Sequence, residues 1–168
     1  AGTGSTLTDY TTVISGDCDA SGNVTLAAGD NKACTITNTR KPKLTVTKIL
    51  VPSNDTGKFN LQIDGTTKAT DVGNNGTTGA QVVSIGAHTA GELAGTGSTL
   101  TDYTTVISGD CDASGNVTLA AGDNKACTIT NTRKASLTIV KNTVGGDGTF
   151  AFTGTGTGVS ASFNLVTD

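Results

Sequence analysis

Apolar and polar residues alternate with a period of two over several short runs, and clusters of Gly, Asn or Asp bound each run. Side chains on a strand point to opposite faces in turn, so such runs read as half-buried β-strands. Leu44 and Val46 define the inner face of one strand, and Phe59, Leu61 and Ile63 that of another. Val117, Leu119 and Ala121 define a third inner face, and Cys127 and Ile129 a fourth. Turn signals stand between them at 54–57, 74–76, 112–116 and 122–124. No stretch carries a helical period. Several short strands with closely spaced turns predict an all-β sandwich.

An internal repeat sets the organisation. Residues 1–41 and 94–134 both read AGTGSTLTDYTTVISGDCDASGNVTLAAGDNKACTITNTRK, an offset of 93 residues. Similarity continues beyond the identity, Leu44-Thr45-Val46-Thr47-Lys48 matching Leu137-Thr138-Ile139-Val140-Lys141. A fixed long period means an array of modules. The expected division is 1–40, the back part of a preceding module; 41–133, one complete module; and 134–168, the front part of a following one. The two end pieces together fall about 18 residues short of a module, so a stretch of a longer chain is expected ahead of end-to-end assembly of copies. The linker at 39–43 is short and contains Pro42, which predicts stiff coupling between neighbours.

Composition narrows the classes. Thr outnumbers even the 23 Gly, which suits pleated strands joined by tight turns. Net charge is −3 with 15% charged residues, and gives no electrostatic reason to expect nucleic acid or an anionic membrane as partner. No run is long enough to span a bilayer. The absence of Met leads one to expect any export signal or anchor outside this segment. No cofactor motif stands out. The four Cys show no metal-ligand spacing and point to an oxidising, extracellular or cell-surface setting.

Aromatic residues make up only 4% of the chain, so the core of each module is modest and staples are expected. Cys111 with Cys127, repeated as Cys18 with Cys34, is the first candidate; the alternative is two free thiols acting as small hydrophobes. Closing a loop of about 16 residues contributes roughly 3 kcal/mol through unfolded-state entropy. The second candidate comes from polar groups at core-facing positions. Lys48 continues the face of Leu44 and Val46, and Asn131 that of Cys127 and Ile129. Glu92, the only Glu, shares the face of His88 and Ala90. Each is costly to bury alone. Together they form a reactive set. A desolvated lysine favours its neutral, nucleophilic amine. A carboxyl taken out of water favours its proton-donating form and is expected here to donate to the Asn131 side-chain oxygen. Attack with loss of ammonia leaves a Lys–Asn isopeptide closing about 83 residues, on the order of 4–5 kcal/mol if entropy scales as for a disulfide. The alternative is a lysine snorkelling at a strand end and an asparagine capping a turn.

LTVTK at 44–48, GxHxAxE at 86–92 and CTITN at 127–131 resemble Cna B-type, prealbumin-like surface modules, and the resemblance spans the whole repeat. It implies tandem immunoglobulin-like sandwiches in bacterial adhesins, pilins and stalks, with Lys48, Glu92 and Asn131 as the autocatalytic trio. Asn38 and Lys141 would then belong to trios completed outside this segment. Two departures are visible: His88 stands where that family usually has an aromatic, and AGTGSTLTDY replaces a Pro-containing loop.

Other signals weigh less. Asp110, Asp112 and Ser114 resemble the start of a calcium loop, but Ala121 occupies its last ligand position, so a hairpin turn is the better reading. The Gly-Thr runs near 155–158 lack a phosphate-loop lysine. Asn23, Asn54, Asn75 and Asn116 lie in glycosylation sequons of the kind that arise by chance in a Thr-rich chain. No Ser-His-Asp set is assignable around His88, the only His, and no carboxylate pair suits glycoside chemistry. A structural rod or filament module, with neighbouring modules and like chains as partners, is therefore the expected function, and no enzyme is expected. A ligand-binding accessory module for carbohydrate or host protein is the alternative; identity of the repeat copies weighs against specialised sites.

Overall fold

The computed structural model describes residues 6–156 and 162–167. Their regular structure is β, apart from two 3-10 turns at Leu7–Asp9 and Leu100–Asp102. Strands β1 (Tyr10–Gly16) and β2 (Cys34–Arg40) pair as an antiparallel ribbon. Eight strands follow: β3 (Lys43–Val51), β4 (Phe59–Ile63), β5 (Thr66–Val72), β6 (Gln81–Val82), β7 (Gly86–Ala94), β8 (Tyr103–Gly109), β9 (Asn116–Leu119) and β10 (Asn124–Arg133). They build two four-stranded sheets, ordered β6-β3-β10-β8 and β5-β4-β7-β9. Strands β11 (Thr149–Thr153) and β12 (Ser162–Val166) form a second antiparallel pair. The chain packs as two units, Ala1–Lys134 and Ala135–Asp168.

Alternation places the core. Leu44, Val46, Cys127 and Ile129 from one sheet meet Leu61, Ile63, Ala90, Val117 and Leu119 from the other in a single buried cluster, which makes the eight strands a β-sandwich. Ala121 was expected on that inner face and is exposed, because the strand stops at Leu119 and the next residues turn. Strands β5 and β8 escape the sequence pattern for a related reason. β5 is an edge strand with no fully buried residue, and β8 buries only Tyr103 completely, so neither alternates visibly.

The opening and closing strands of the sandwich, β3 and β10, lie side by side and parallel, with Cys127 opposite Val46, Ile129 opposite Lys48 and Asn131 opposite Leu50. At the end of β8, Gly109 adopts φ +88°, and a Cβ there would sit 2.5 Å from the Ala126 carbonyl oxygen. Only glycine fits that close approach. The turn delivers Cys111 to Cys127, and the two are disulfide-bonded with Cα atoms 5.3 Å apart. Cys18 and Cys34 form the equivalent bond, so no thiol is free.

The repeat supplies an internal comparison. β1 and β2 carry the same residues as β8 and the C-terminal part of β10, with the same disulfide and the same ladder. Burial differs. Ile129 is 0% and Leu119 1% exposed, whereas their copies Ile36 and Leu26 are 64% and 65% exposed. Ladder and turn are local, while burial depends on β3 alongside and on β4 and β7 in the opposite sheet. Residues 23–26, which copy β9, form no strand, since β9 exists by pairing with β7. In the second unit, 137–141 matches part of β3 in sequence without being a strand, and no counterpart of β10 is among the described residues of that unit.

The junction between β2 and β3 is two residues long and held at several points. The Lys41 amide donates to the Asp9 carbonyl, the Gly122 amide to the Arg40 carbonyl and the Val83 amide to the carbonyl of buried Pro42. Such a linker has little freedom, as the sequence predicts.

Replacing Cys111 and Cys127 together by Ser is expected to lower stability by roughly 3 kcal/mol, read from the urea midpoint under non-reducing conditions. The same double change at Cys18 and Cys34 is expected to leave the main transition in place, because β1 and β2 close no core. Equal losses from the two pairs would contradict placing the core within 43–133.

Candidate functional site

Three of the polar side chains singled out above are withdrawn from water at one end of the sandwich. Lys48 on β3 and Asn131 on β10 are both 0% exposed. They project from the inner face of neighbouring strands, one diagonal step apart. Glu92 comes from β7 in the opposite sheet, and its Oε2 accepts a hydrogen bond from Lys48 Nζ at 2.6 Å. Phe59 roofs the amine, its ring centroid 4.3 Å from Nζ, and Tyr103 packs edge-on against Phe59. Loss of hydration lowers the Lys48 pKa below its ordinary value, with Glu92 opposing that shift.

The Asn131 amide is held asymmetrically. Its Oδ1 accepts a 2.8 Å hydrogen bond from the Thr105 hydroxyl on β8. Its Nδ2 and Glu92 Oε1 are buried without a partner. The sequence led one to expect Glu92 donating to Asn131 Oδ1; instead Glu92 engages Lys48 and Thr105 serves that oxygen. The difference follows from topology, since β8 is the strand paired with β10 and sets Thr105 directly opposite Asn131. Two orphaned polar groups in one buried site cost about 1–3 kcal/mol each.

Half-sites recur. Thr12 donates to Asn38 Oδ1 at 2.7 Å in the β1–β2 pair. Lys141 Nζ lies 4.6 Å from the Phe150 ring centroid within the second unit. The Thr–Asn contact thus forms on the exposed β1–β2 pair, without a sandwich covering it.

A second cluster closes the same end of the core. The Tyr103 hydroxyl donates to Asp55 Oδ1 at 2.7 Å, and Arg133 Nη1 reaches both the Tyr103 oxygen, at 3.1 Å, and Asp55 Oδ2, at 3.3 Å. Burial pushes the Asp55 carboxyl up, but Tyr103, the Gly57 amide and Arg133 outweigh it and hold it below its ordinary value. Sequence reading missed Asp55, Thr105 and the Phe59 roof, because none stands at a position where its residue type is unexpected.

His88 does gather a Ser and an Asp. Its Nδ1 lies 2.7 Å from Asp64 Oδ2, and its Nε2 lies 2.9 Å from the Ser84 carbonyl and 3.3 Å from the Ser84 hydroxyl. A carbonyl only accepts, so Nε2 carries a proton there and has no lone pair for a serine proton. The set is a clasp between the β4–β5 turn and β7. Asp110 and Asp112 serve backbone amides. Asp110 Oδ2 accepts from the Ala126 amide, and Asp112 Oδ1 from the amides of Ser114 and Asn116. Among the described residues no three His, Cys, Asp or Glu side chains gather as a metal site.

The clasp sets a pH dependence. Burial acts to lower the His88 pKa, but hydrogen bonds to Asp64 and the Ser84 carbonyl and the charge of Asp64 raise it overall. A raised folded-state value means stabilisation that is full below the unfolded value, about 6.5, and lost as pH rises through the folded value. Asp64 is held low by His88 and the Thr89 amide against the effect of burial, so its contribution disappears as pH falls below about 3.8. Urea midpoints are expected to fall between pH 6 and pH 9 in the native chain and to stay level over that interval in His88→Gln. No family model, curated protein or solved structure matches the chain, so its own side-chain geometry carries the functional reading.

Proposed function

We propose that the chain is a run of tandem immunoglobulin-like, prealbumin-like sandwich modules from a long bacterial surface protein, an adhesin stalk or extracellular filament. Residues 41–133 are one complete module, 1–40 the back of a preceding module and 134–168 the front of a following one. The work is mechanical, and the partners are neighbouring modules and like chains. Each complete module is stapled by a disulfide and by an isopeptide between Lys48 and Asn131, with Glu92 as the proton carrier.

The observation that carries this reading is the sealed Lys48–Glu92 pair together with Asn131, one diagonal step from Lys48 on the neighbouring strand, whose Nδ2 has no partner. Buried ion pairs are weak stabilisers, since desolvation offsets their attraction. Reactivity gives this one a purpose. Glu92 takes a proton from the Lys48 ammonium. The neutral Nζ attacks Asn131 Cγ, and the Cγ–Nδ2 bond breaks. Glu92 passes a proton from the attacking nitrogen to Nδ2, which leaves as ammonia, and Glu92 ends protonated.

Strand order gives the bond its use. β3 begins at Lys43 and β10 ends at Arg133, and the two are parallel neighbours. Tension entering at one and leaving at the other loads their hydrogen bonds in shear. A covalent tie from Lys48 to Asn131 would pass the load across the sheet and spare everything between. Disulfides form and persist in oxidising compartments, which supports an extracellular setting. Among the described residues no helix is long and apolar enough to cross a membrane.

A second reading, a ligand-binding accessory module, draws on a groove of about 570 Å³ between the β1–β2 pair and the β6 region, lined by Arg40, Lys41, Val82 and Ile85 among others. It has no aromatic platform for a sugar ring.

Intact mass under non-reducing conditions tests the main reading. The expected deficit against the sequence is two hydrogens per disulfide and one ammonia. Lys48→Ala and Glu92→Ala are each expected to abolish the ammonia loss alone. A full-length chain with no ammonia deficit, or a deficit that survives Lys48→Ala, would sink it.

A further inference from the structure

Thr105 stands on the exposed edge strand β8, yet its hydroxyl is spent on a fully buried amide oxygen rather than on water. We propose that Thr105 is a catalytic residue of isopeptide formation, the hydrogen-bond donor that polarises the Asn131 carbonyl and stabilises the charge on Oδ1 as Lys48 attacks; this rests on the isopeptide reading above.

Three observations carry it. First, the atom that must become negative is Oδ1. When Nζ adds to Cγ, the carbonyl electron pair moves onto that oxygen, and the Thr105 hydroxyl already points at it from 2.8 Å. A preset donor at the developing charge is the largest single aid to acyl transfer. Second, Glu92 is occupied elsewhere. Its Oε2 is on Lys48 Nζ, and its Oε1 has no partner. The division of labour is clean: Glu92 moves protons between nitrogens, and Thr105 holds the oxygen. Third, the contact precedes the site. Thr12 makes the same hydrogen bond to Asn38 at 2.7 Å, on an exposed strand pair with neither lysine nor glutamate at hand. The ladder that sets Thr105 opposite Asn131 also sets Thr12 opposite Asn38. The strand pair therefore fixes the amide rotamer without help from the opposite sheet. Donation to Oδ1 also leaves Nδ2 unpartnered, so the bond that must break joins Cγ to the group the protein does not hold.

The electron and proton count is unchanged from the reaction above. Thr105 keeps its proton, and its hydrogen bond shortens as charge builds and relaxes when the C–N bond to Nδ2 breaks.

The test is a time course. The full 168-residue chain is made by cell-free translation, quenched at intervals, and its ammonia loss followed by intact mass. Thr105→Val keeps the β-branched shape on an exposed edge strand and removes only the donor. It is expected to slow the loss about a hundredfold, with an unchanged midpoint in the pH–rate profile, since Thr105 carries no titrating group and the desolvated Lys48 amine is untouched. Thr105→Ser is expected to react within about threefold of the native rate. Circular dichroism checks that each variant folds; should Thr105→Val not fold, Thr105→Ala against Thr105→Ser makes the same comparison. Native speed in the variant lacking the hydroxyl, or a shifted pH midpoint, overturns the proposal while leaving the isopeptide intact. A native chain that never loses ammonia overturns the isopeptide reading and this proposal with it.

Discussion

The parallel pairing of β3 with β10 is the constraint on which the rest depends. Parallel neighbours cannot be joined by a hairpin; they need a crossover of a dozen residues or more. Here the crossover is the whole module, and it carries the second sheet with it. The same requirement decides which copy of the repeat completes the sandwich. β2 is identical in sequence to the C-terminal part of β10, but only Lys41 and Pro42 separate it from β3. Two residues cannot double the chain back into a parallel neighbour. β3 must therefore take its partner from the copy that follows. Identical sequence cannot make that choice; connection length does.

Closure at the last strand explains how burial and chemistry come to share a location. Lys48, Glu92 and Asn131 arrive from three strands, and none is out of water until the two sheets meet. In the open chain Lys48 is hydrated and charged, so the proposed reaction would have no neutral amine to use there. A staple made by such a site is confined to modules that have already folded. The disulfide is different in kind. Its loop lies within the β8–β10 segment, and the copy at Cys18 and Cys34 forms where no sandwich covers it. The disulfide is local and sets a turn, whereas the proposed isopeptide would span residues 48–131 and wait for the topology.

Much of this was legible from residues alone, for a physical reason. Alternation is a property of strands with one wet and one dry face, and β3, β4 and β10 have such faces. The misplaced polar residues at Lys48, Glu92 and Asn131 were visible because they broke that alternation on the dry side. Thr105, Asp55 and Tyr103 broke nothing. A Thr on a Thr-rich edge strand matches its background, and its role exists only through the register that puts it beside Asn131. The His88 clasp was hidden for the same reason, since Asp64 reaches it from a turn 24 residues away. Sequence pattern reports which face a residue prefers, while register and crossing decide whom it meets.

That distinction bears on how a repeated module keeps its function. The two copies of the 41-residue segment retain the ladder, the disulfide and the Thr–Asn hydrogen bond regardless of setting. They differ in everything that requires the opposite sheet. The segment carries its asparagine in one orientation in both settings, and Lys141, whose Nζ donates to the Asn142 carbonyl, lies over the Phe150 ring. An array built of such halves needs no long-range instruction along the chain. In the reading proposed above, each junction would be settled by the nearest front half that follows the crossover rule, and the chemistry would switch on where the two halves have excluded water between them.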